Sequence, residues 1–125
     1  MSTQEVANKL VTNCRSGNFL ENYDELYWED VVKYESVSGP ERETKGLKAV
    51  LNSSKNFHTT IEKVLNREVS EPLVAGNYFT FRICQEFDLK NIGYFKLDEL
   101  CLFKVRDGKI TYEEYFYWMK AKRIA

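Results

Sequence analysis

Apolar and polar positions alternate along three long stretches in the second half of the chain, and that period of two predicts three strands. The first runs from Val74 to Phe87, the second from Phe95 to Val105 and the third from Ile110 to Trp118. In the first half the spacing changes to that of helices. Val6, Leu10, Val11 and Cys14 share one helical face behind Ser2-Thr3-Gln4-Glu5, which has the form of a capping box, and Gly17 supplies a stop. Asn18 is placed to cap a second helix whose face is Phe19, Tyr23, Leu26 and Tyr27. A short strand, Val31 to Ser36, leads into a polar loop from Val37 to Lys45, where Gly39-Pro40 opposes regular structure. Leu47, Val50, Leu51 and Phe57 mark a third helix with Thr44 as its cap. Thr60 to Val69 reads as a weaker strand, its alternation broken at Val64 and Leu65 as by a bulge. Glu71-Pro72, Asn91-Ile92-Gly93 and Asp107-Gly108 supply the turns, the last being a strong hairpin signal because both residues tolerate positive φ. Helices followed by an antiparallel meander predict one α+β domain over residues 1–125, with a bent sheet wrapped around N-terminal helices.

Alternation also sorts the side chains by face. In the first long strand Ala75, Phe79, Phe81, Ile83, Gln85 and Phe87 form the apolar side, opposed by the wetter Tyr78, Thr80, Arg82, Cys84 and Glu86. The middle strand is apolar on both sides. Leu97, Glu99, Cys101, Phe103 and Val105 alternate there with Lys96, Asp98, Leu100, Leu102 and Lys104.

Composition narrows the function classes. With 43% hydrophobic and 30% charged residues the chain is an ordinary globular sequence, and a net charge of −1 offers nucleic acid no counterion-release surface. The eight Tyr, eight Phe and two Trp have no basic stripe between them, so they read as core, cavity lining and interface rather than a base-stacking platform. The basic end Lys120 to Arg123 reads as a solvated tail. No apolar run approaches the roughly 18 residues that span a bilayer, and Met1 to Leu10 lacks the apolar core of a signal peptide, so a cytoplasmic protein is expected. Cys14, Cys84 and Cys101 lie far apart without a Cys-x-x-Cys pair and are expected as reduced thiols. No metal and no cofactor are expected: His58 is the single imidazole, and no ligand spacing surrounds it. Asp107-Gly108-Lys109-Ile110 with Glu114 imitates the end of a calcium loop, but Phe103 and Val105 occupy the earlier ligand positions.

Several short segments in sequence order carry a resemblance. They are Ser16-Gly17-Asn18-Phe19, the stretch Tyr27-Trp28-Glu29-Asp30-Val31-Val32-Lys33-Tyr34-Glu35, Gly46-Leu47-Lys48-Ala49-Val50, and Asp107-Gly108-Lys109-Ile110 through Phe116-Tyr117-Trp118. Together they resemble the nuclear transport factor 2-like superfamily, in particular its SnoaL-like and ketosteroid-isomerase-like branch, from about Val6 to Trp118. The resemblance implies a cone with an apolar cavity at its wide end and a homodimer formed through the outer sheet face. It puts the Cys101 set inside, with Glu99 in or near the cavity, and Glu113, Tyr115 and Tyr117 inward on the last strand. Leu100, Leu102, Phe116 and Trp118 are then left outside, where a second copy would cover them.

The resemblance also aligns Glu35 with the aspartate general base of the isomerase branch, while the positions of its two oxyanion donors fall on Leu10 and Cys101, neither a strong donor. A carboxylate among aromatic walls loses hydration, which raises its pKa toward neutrality and suits it to acid or base work. The plainer reading of Glu35 is a strand-end carboxylate bonded to backbone amides or to the Arg42 loop. For Glu99 and Glu113 it is a rim pair held by a lysine or Gln85; for His58, a solvent-facing loop residue; for Cys101, buried apolar filler. The leading functional expectation is a binding domain for a small apolar molecule, lined by Phe79, Phe81, Ile83, Gln85, Glu99, Cys101, Phe103, Glu113, Tyr115, Tyr117 and His58. An isomerase, cyclase or dehydratase using Glu35 on an apolar carbonyl compound is the first alternative, and a ligand-free association module the second.

Overall fold

The computed structural model describes residues 1–120, so the tail beyond Lys120 lies outside the described residues. Helix α1 (Thr3–Ser16) begins with the expected capping box: Ser2 Oγ accepts from the Glu5 amide at 3.1 Å, and the Ser2 amide donates to Glu5 Oε1 at 3.0 Å. It ends at Gly17, whose φ of 81° suits a glycine. Val6, Ala7, Leu10, Val11 and Cys14 form its buried face.

The second helix is much shorter than expected. Asn18 caps nothing, Asn22 takes the left-handed conformation without a side-chain bond, and α2 (Tyr23–Leu26) is a single turn. Tyr27 already belongs to β1 (Tyr27–Glu35), which starts four residues ahead of expectation because it pairs in parallel with the last strand from Tyr27 onward. Tertiary pairing overrides the local helical spacing. The Pro40–Arg42 segment forms one 3-10 turn and Glu43–Lys45 forms strand β2, so the expected irregular loop is partly ordered against β1. Thr44 pairs there with Lys33 and cannot cap α3 (Leu47–Thr59), which starts from Gly46 with no side-chain cap.

Strand β3 (Ile61–Val69) carries the expected irregularity between Val64 and Asn66. The first long strand is two. Strand β4 (Leu73–Ala75) turns at Gly76-Asn77 and folds back on β5 (Tyr78–Leu89), which leaves Ala75 exposed rather than on the inner face. Gly76 takes a φ of 61° at that turn, the positive value a tight hairpin requires. Strands β6 (Gly93–Arg106) and β7 (Lys109–Lys120) complete the meander.

The seven strands make one curved sheet in the order β2-β1-β7-β6-β5-β3, with β4 also on β5. All pairs are antiparallel except β1 with β7. The inner face holds two separate apolar clusters. The larger joins α1, Val31 and Val50 to Phe79, Phe81, Phe103 and Ile110; the smaller gathers Phe87, Leu89 and Leu97 with Ile61, Phe95 and Tyr117. On the outer face Leu100, Phe116 and Trp118 are 55%, 46% and 57% exposed, with Leu100 directly opposite Phe116, and Leu102 is half-buried beside them. Among the described residues no helix is long and apolar enough to cross a membrane.

Candidate functional site

A cavity of about 360 Å³ opens between the two clusters. Its position follows from side-chain size across the sheet. Phe79 faces Phe103 and fills its level, whereas Phe81 faces Cys101, whose short side chain leaves space, and Tyr115 flanks Cys101 on the other side. Phe79 is therefore not a lining residue, contrary to expectation. It lies 1% exposed beneath the cavity, its ring stacked 4.7 Å from Phe103 and 6.3 Å from Phe81. Phe81, Ile83 and Gln85 reach the cavity from β5, and Glu99, Cys101 and Phe103 from β6. Glu113, Tyr115 and Tyr117 reach it from β7, Glu35 from β1 and His58 from α3. Leu10 also lines it.

The polar groups differ sharply in their partners. Glu113 is 1% exposed, and its Oε2 accepts from both Tyr27 Oη and Tyr115 Oη at 2.9 Å. Burial raises its pKa against the pull of those two hydrogen bonds. The hydroxyls themselves are pushed well above their usual range by burial and then by the Glu113 charge, so they stay donors. Lys33 stands opposite Glu113 in the β1–β7 pairing and is buried. Its Nζ donates to Ser53 Oγ at 2.7 Å and lies 3.2 Å from Glu35 Oε1. Glu99 has no ion pair among the described residues; burial, then repulsion from Glu35 and Glu113, pushes its pKa up to about 7 against the attraction of Lys33.

These placements correct three expectations. Glu35 pairs with Lys33 rather than with backbone amides or Arg42, whose guanidinium sits 5.5 Å over the Tyr34 ring. Glu99 and Glu113 do not form a rim pair, and Gln85 instead accepts from Arg67 Nε at 2.8 Å. His58 belongs to the last turn of α3, not a loop. Its Nδ1 lies 2.7 Å from the Ser54 carbonyl oxygen, an acceptor, which puts a proton on that nitrogen, and its ring packs 4.8 Å from Phe19. The two buried thiols are poor nucleophiles: burial pushes Cys14 up to about 12 and Cys101 well above its ordinary value, with the nearby Glu99 adding to both.

Sequence reasoning missed Lys33, Tyr27 and Ser53. A signal for Lys33 existed, since Val31, Lys33 and Glu35 alternate on one face of β1, and an inward Val31 carries both charged residues inward with it. Tyr27 was assigned to a helix face and so could not be connected with Glu113. No three carboxylate, thiol or imidazole groups among the described residues converge as metal ligands.

The sequence profile of the SnoaL-like domain matches residues 1–117, and the chain belongs to that family, within the nuclear transport factor 2-like superfamily. Among solved structures it is similar to a candidate SnoaL-like polyketide cyclase from Mesorhizobium loti, at 27% identity and a TM-score of 0.85, covering 94% of this chain and 100% of that one. It shares its fold with IdmH, a candidate polyketide cyclase from Streptomyces antibioticus, at 17% identity, a TM-score of 0.71 and coverage of 94% and 92%. A candidate isomerase from Bacillus subtilis is similar at 15% identity, with a TM-score of 0.72 and coverage of 94% and 90%. Among curated proteins there is no match to this chain.

Proposed function

We propose that the cone takes up a small, mainly apolar carbonyl compound and moves a proton on it. One observation carries this reading: the Lys33–Glu35 ion pair and Glu99, whose pKa is pushed up to about 7, face the same cavity, walled largely by aromatic and aliphatic side chains. A group that titrates near neutrality exchanges protons in both directions at working pH, while a carboxylate on a rigid strand is positioned to abstract one. Glu35 is the base in this scheme and Glu99 the proton store. The Tyr27–Glu113–Tyr115 cluster, with both hydroxyls engaged, shapes the wall. The names of the Mesorhizobium loti and Bacillus subtilis proteins, cyclase and isomerase, point the same way.

The test has two parts. A panel of polycyclic ketones and phenols, screened by thermal stabilisation, identifies the ligand class. Glu35→Gln is expected to retain ligand binding and to lower turnover of the compound found by roughly a hundredfold or more. Unchanged turnover in that variant sinks the catalytic part, leaving a binding domain.

We further propose that a second copy covers the outer face at Leu100, Leu102, Phe116 and Trp118. The support is the contiguous apolar surface that Leu100, Phe116 and Trp118 present on neighbouring strands.

A further inference from the structure

We infer that Lys33 is the electrophile of this site, the group that meets the negative charge when Glu35 removes a proton. The inference rests on the proton-transfer reading above and assigns it a second catalytic residue. Charge developing on a carbonyl oxygen inside an apolar cavity is costly unless a donor waits for it. The two positions where the resemblance put such donors hold Leu10 and Cys101, and both line the cavity without offering a strong hydrogen bond. The hydroxyls of Tyr27 and Tyr115 are committed to Glu113. Lys33 is different. Its ammonium has three donors, of which one goes to Ser53 Oγ at 2.7 Å and one faces Glu35 Oε1 at 3.2 Å, which leaves a third uncommitted on a side chain that lines the cavity. Ser53 lies on α3 and holds the amine in place by that bond.

Charge conservation makes the pair more than a neighbourhood. A Glu35 oxygen takes the proton from a carbon next to the substrate carbonyl. The C–H electron pair becomes a carbon–carbon double bond, and the carbonyl π pair moves onto oxygen. Glu35 is then neutral, the oxygen is anionic, and Lys33 exchanges one negative partner for another. The Lys33–Glu35 pair holds one cation and one matching anion before and after, so the transfer itself buries no new unpaired charge. Where a further carbon–carbon double bond is conjugated with the enolate, Glu35 returns its proton to the far end of that system; otherwise the enolate carbon attacks a second carbonyl, whose π pair moves to its oxygen and takes the proton from Glu35. Glu99 and Glu113, the other charged groups facing Lys33, stay where they are.

A probe for this exchange is 2-naphthol, a planar bicyclic phenol whose anion imitates an enolate and whose absorbance distinguishes the two forms. Wild-type protein is expected to bind the neutral form, since Lys33 is occupied by Glu35. Glu35→Gln frees Lys33, and the bound naphtholate-to-naphthol ratio at a fixed pH above neutrality should exceed that of Glu35→Gln/Lys33→Met by roughly tenfold or more, the effect of a nearby cation on an acid. Lys33→Gln replaces Lys33→Met if the methionine variant does not fold by near-ultraviolet circular dichroism. A difference below about threefold between the single and double variants overturns the assignment of Lys33. If neutral naphthol binds but ignores Lys33, only this assignment falls. If no form of the protein binds naphthol at all, the small-molecule reading of the cavity falls and takes the assignment with it.

Discussion

The two apolar clusters of the inner sheet face are built from the same strands and reach opposite ends. In the larger one, Phe79, Phe81 and Phe103 stack with their rings within 13–14° of parallel, and α1 closes over them. The smaller one, around Phe87 and Leu97, contains no residue of α1 and is met by the end of α3, where Phe57 stands edge-on to Phe87 at 5.9 Å. Length explains the difference. Strand β6 has 14 residues and at about 3.3 Å each follows a path of roughly 46 Å, while the 14 residues of α1 at about 1.5 Å each cover roughly 21 Å. The helix runs out before the sheet does. What remains uncovered is the cavity, and Gln85 and Glu99 mark its level as the inward polar residues between the clusters. The comparison teaches that the hollow comes from mismatched element lengths and small cross-strand partners, whereas its chemistry comes from a few charged substitutions in an otherwise apolar alternation.

The contrast is open to direct attack. Phe103→Ala empties the stacked trio and is expected to cost about 3–5 kcal/mol in urea unfolding, whereas Phe95→Ala, at the half-buried edge of the smaller cluster, should cost only about 1 kcal/mol. Equal losses would collapse the distinction between a structural cluster and a lip. The next effect concerns Glu99. Its pKa moves from 4.5 to about 7 on folding, so the native state holds that proton more tightly. The associated stabilisation is full below the unfolded value and fades as pH rises from there through about 7, a loss of about 3 kcal/mol. Unfolding measured on both sides of that window should show the decline in wild type and a flatter profile in Glu99→Gln. A variant profile as steep as wild type would remove Glu99 from the boundary between the clusters. The smallest effect on the protomer belongs to the outer face. Trp118→Lys should alter folded-state stability at low concentration by less than about 0.5 kcal/mol while shifting sedimentation from dimer toward monomer. A monomeric wild type would refute the second copy.

Legibility of the sequence divided along a physical line. Long strands were readable because alternation is a local signal, and the inward position of Phe81 followed from it, while those of Cys101, Phe103 and Tyr115 needed the family resemblance to choose between two faces. The bulge near Val64 and the capping box at Ser2 were readable for the same reason. Where partners are distant the reading failed. Tyr27 looks helical beside Tyr23 and Leu26 until β7 draws it into a sheet, and Thr44 looks like a cap until Lys33 pairs with it. The strand assigned from Val74 hid the reversal at Gly76-Asn77, because apolar residues continue on both sides of the turn. Within the site, Glu35 and Glu99 were both visible through resemblance. Lys33 was legible only by extending the alternation from an inward Val31, because a lysine in a short strand otherwise reads as solvated.

The parallel union of β1 with β7 has a consequence for how this protein is made. Tyr27 and Glu113 are 86 residues apart in sequence, so the cluster they share with Tyr115 is complete only once the final strand has docked. A nascent chain emerging from the ribosome can therefore set β1 against β2 and α3 early, while its other edge waits for β7 to be made.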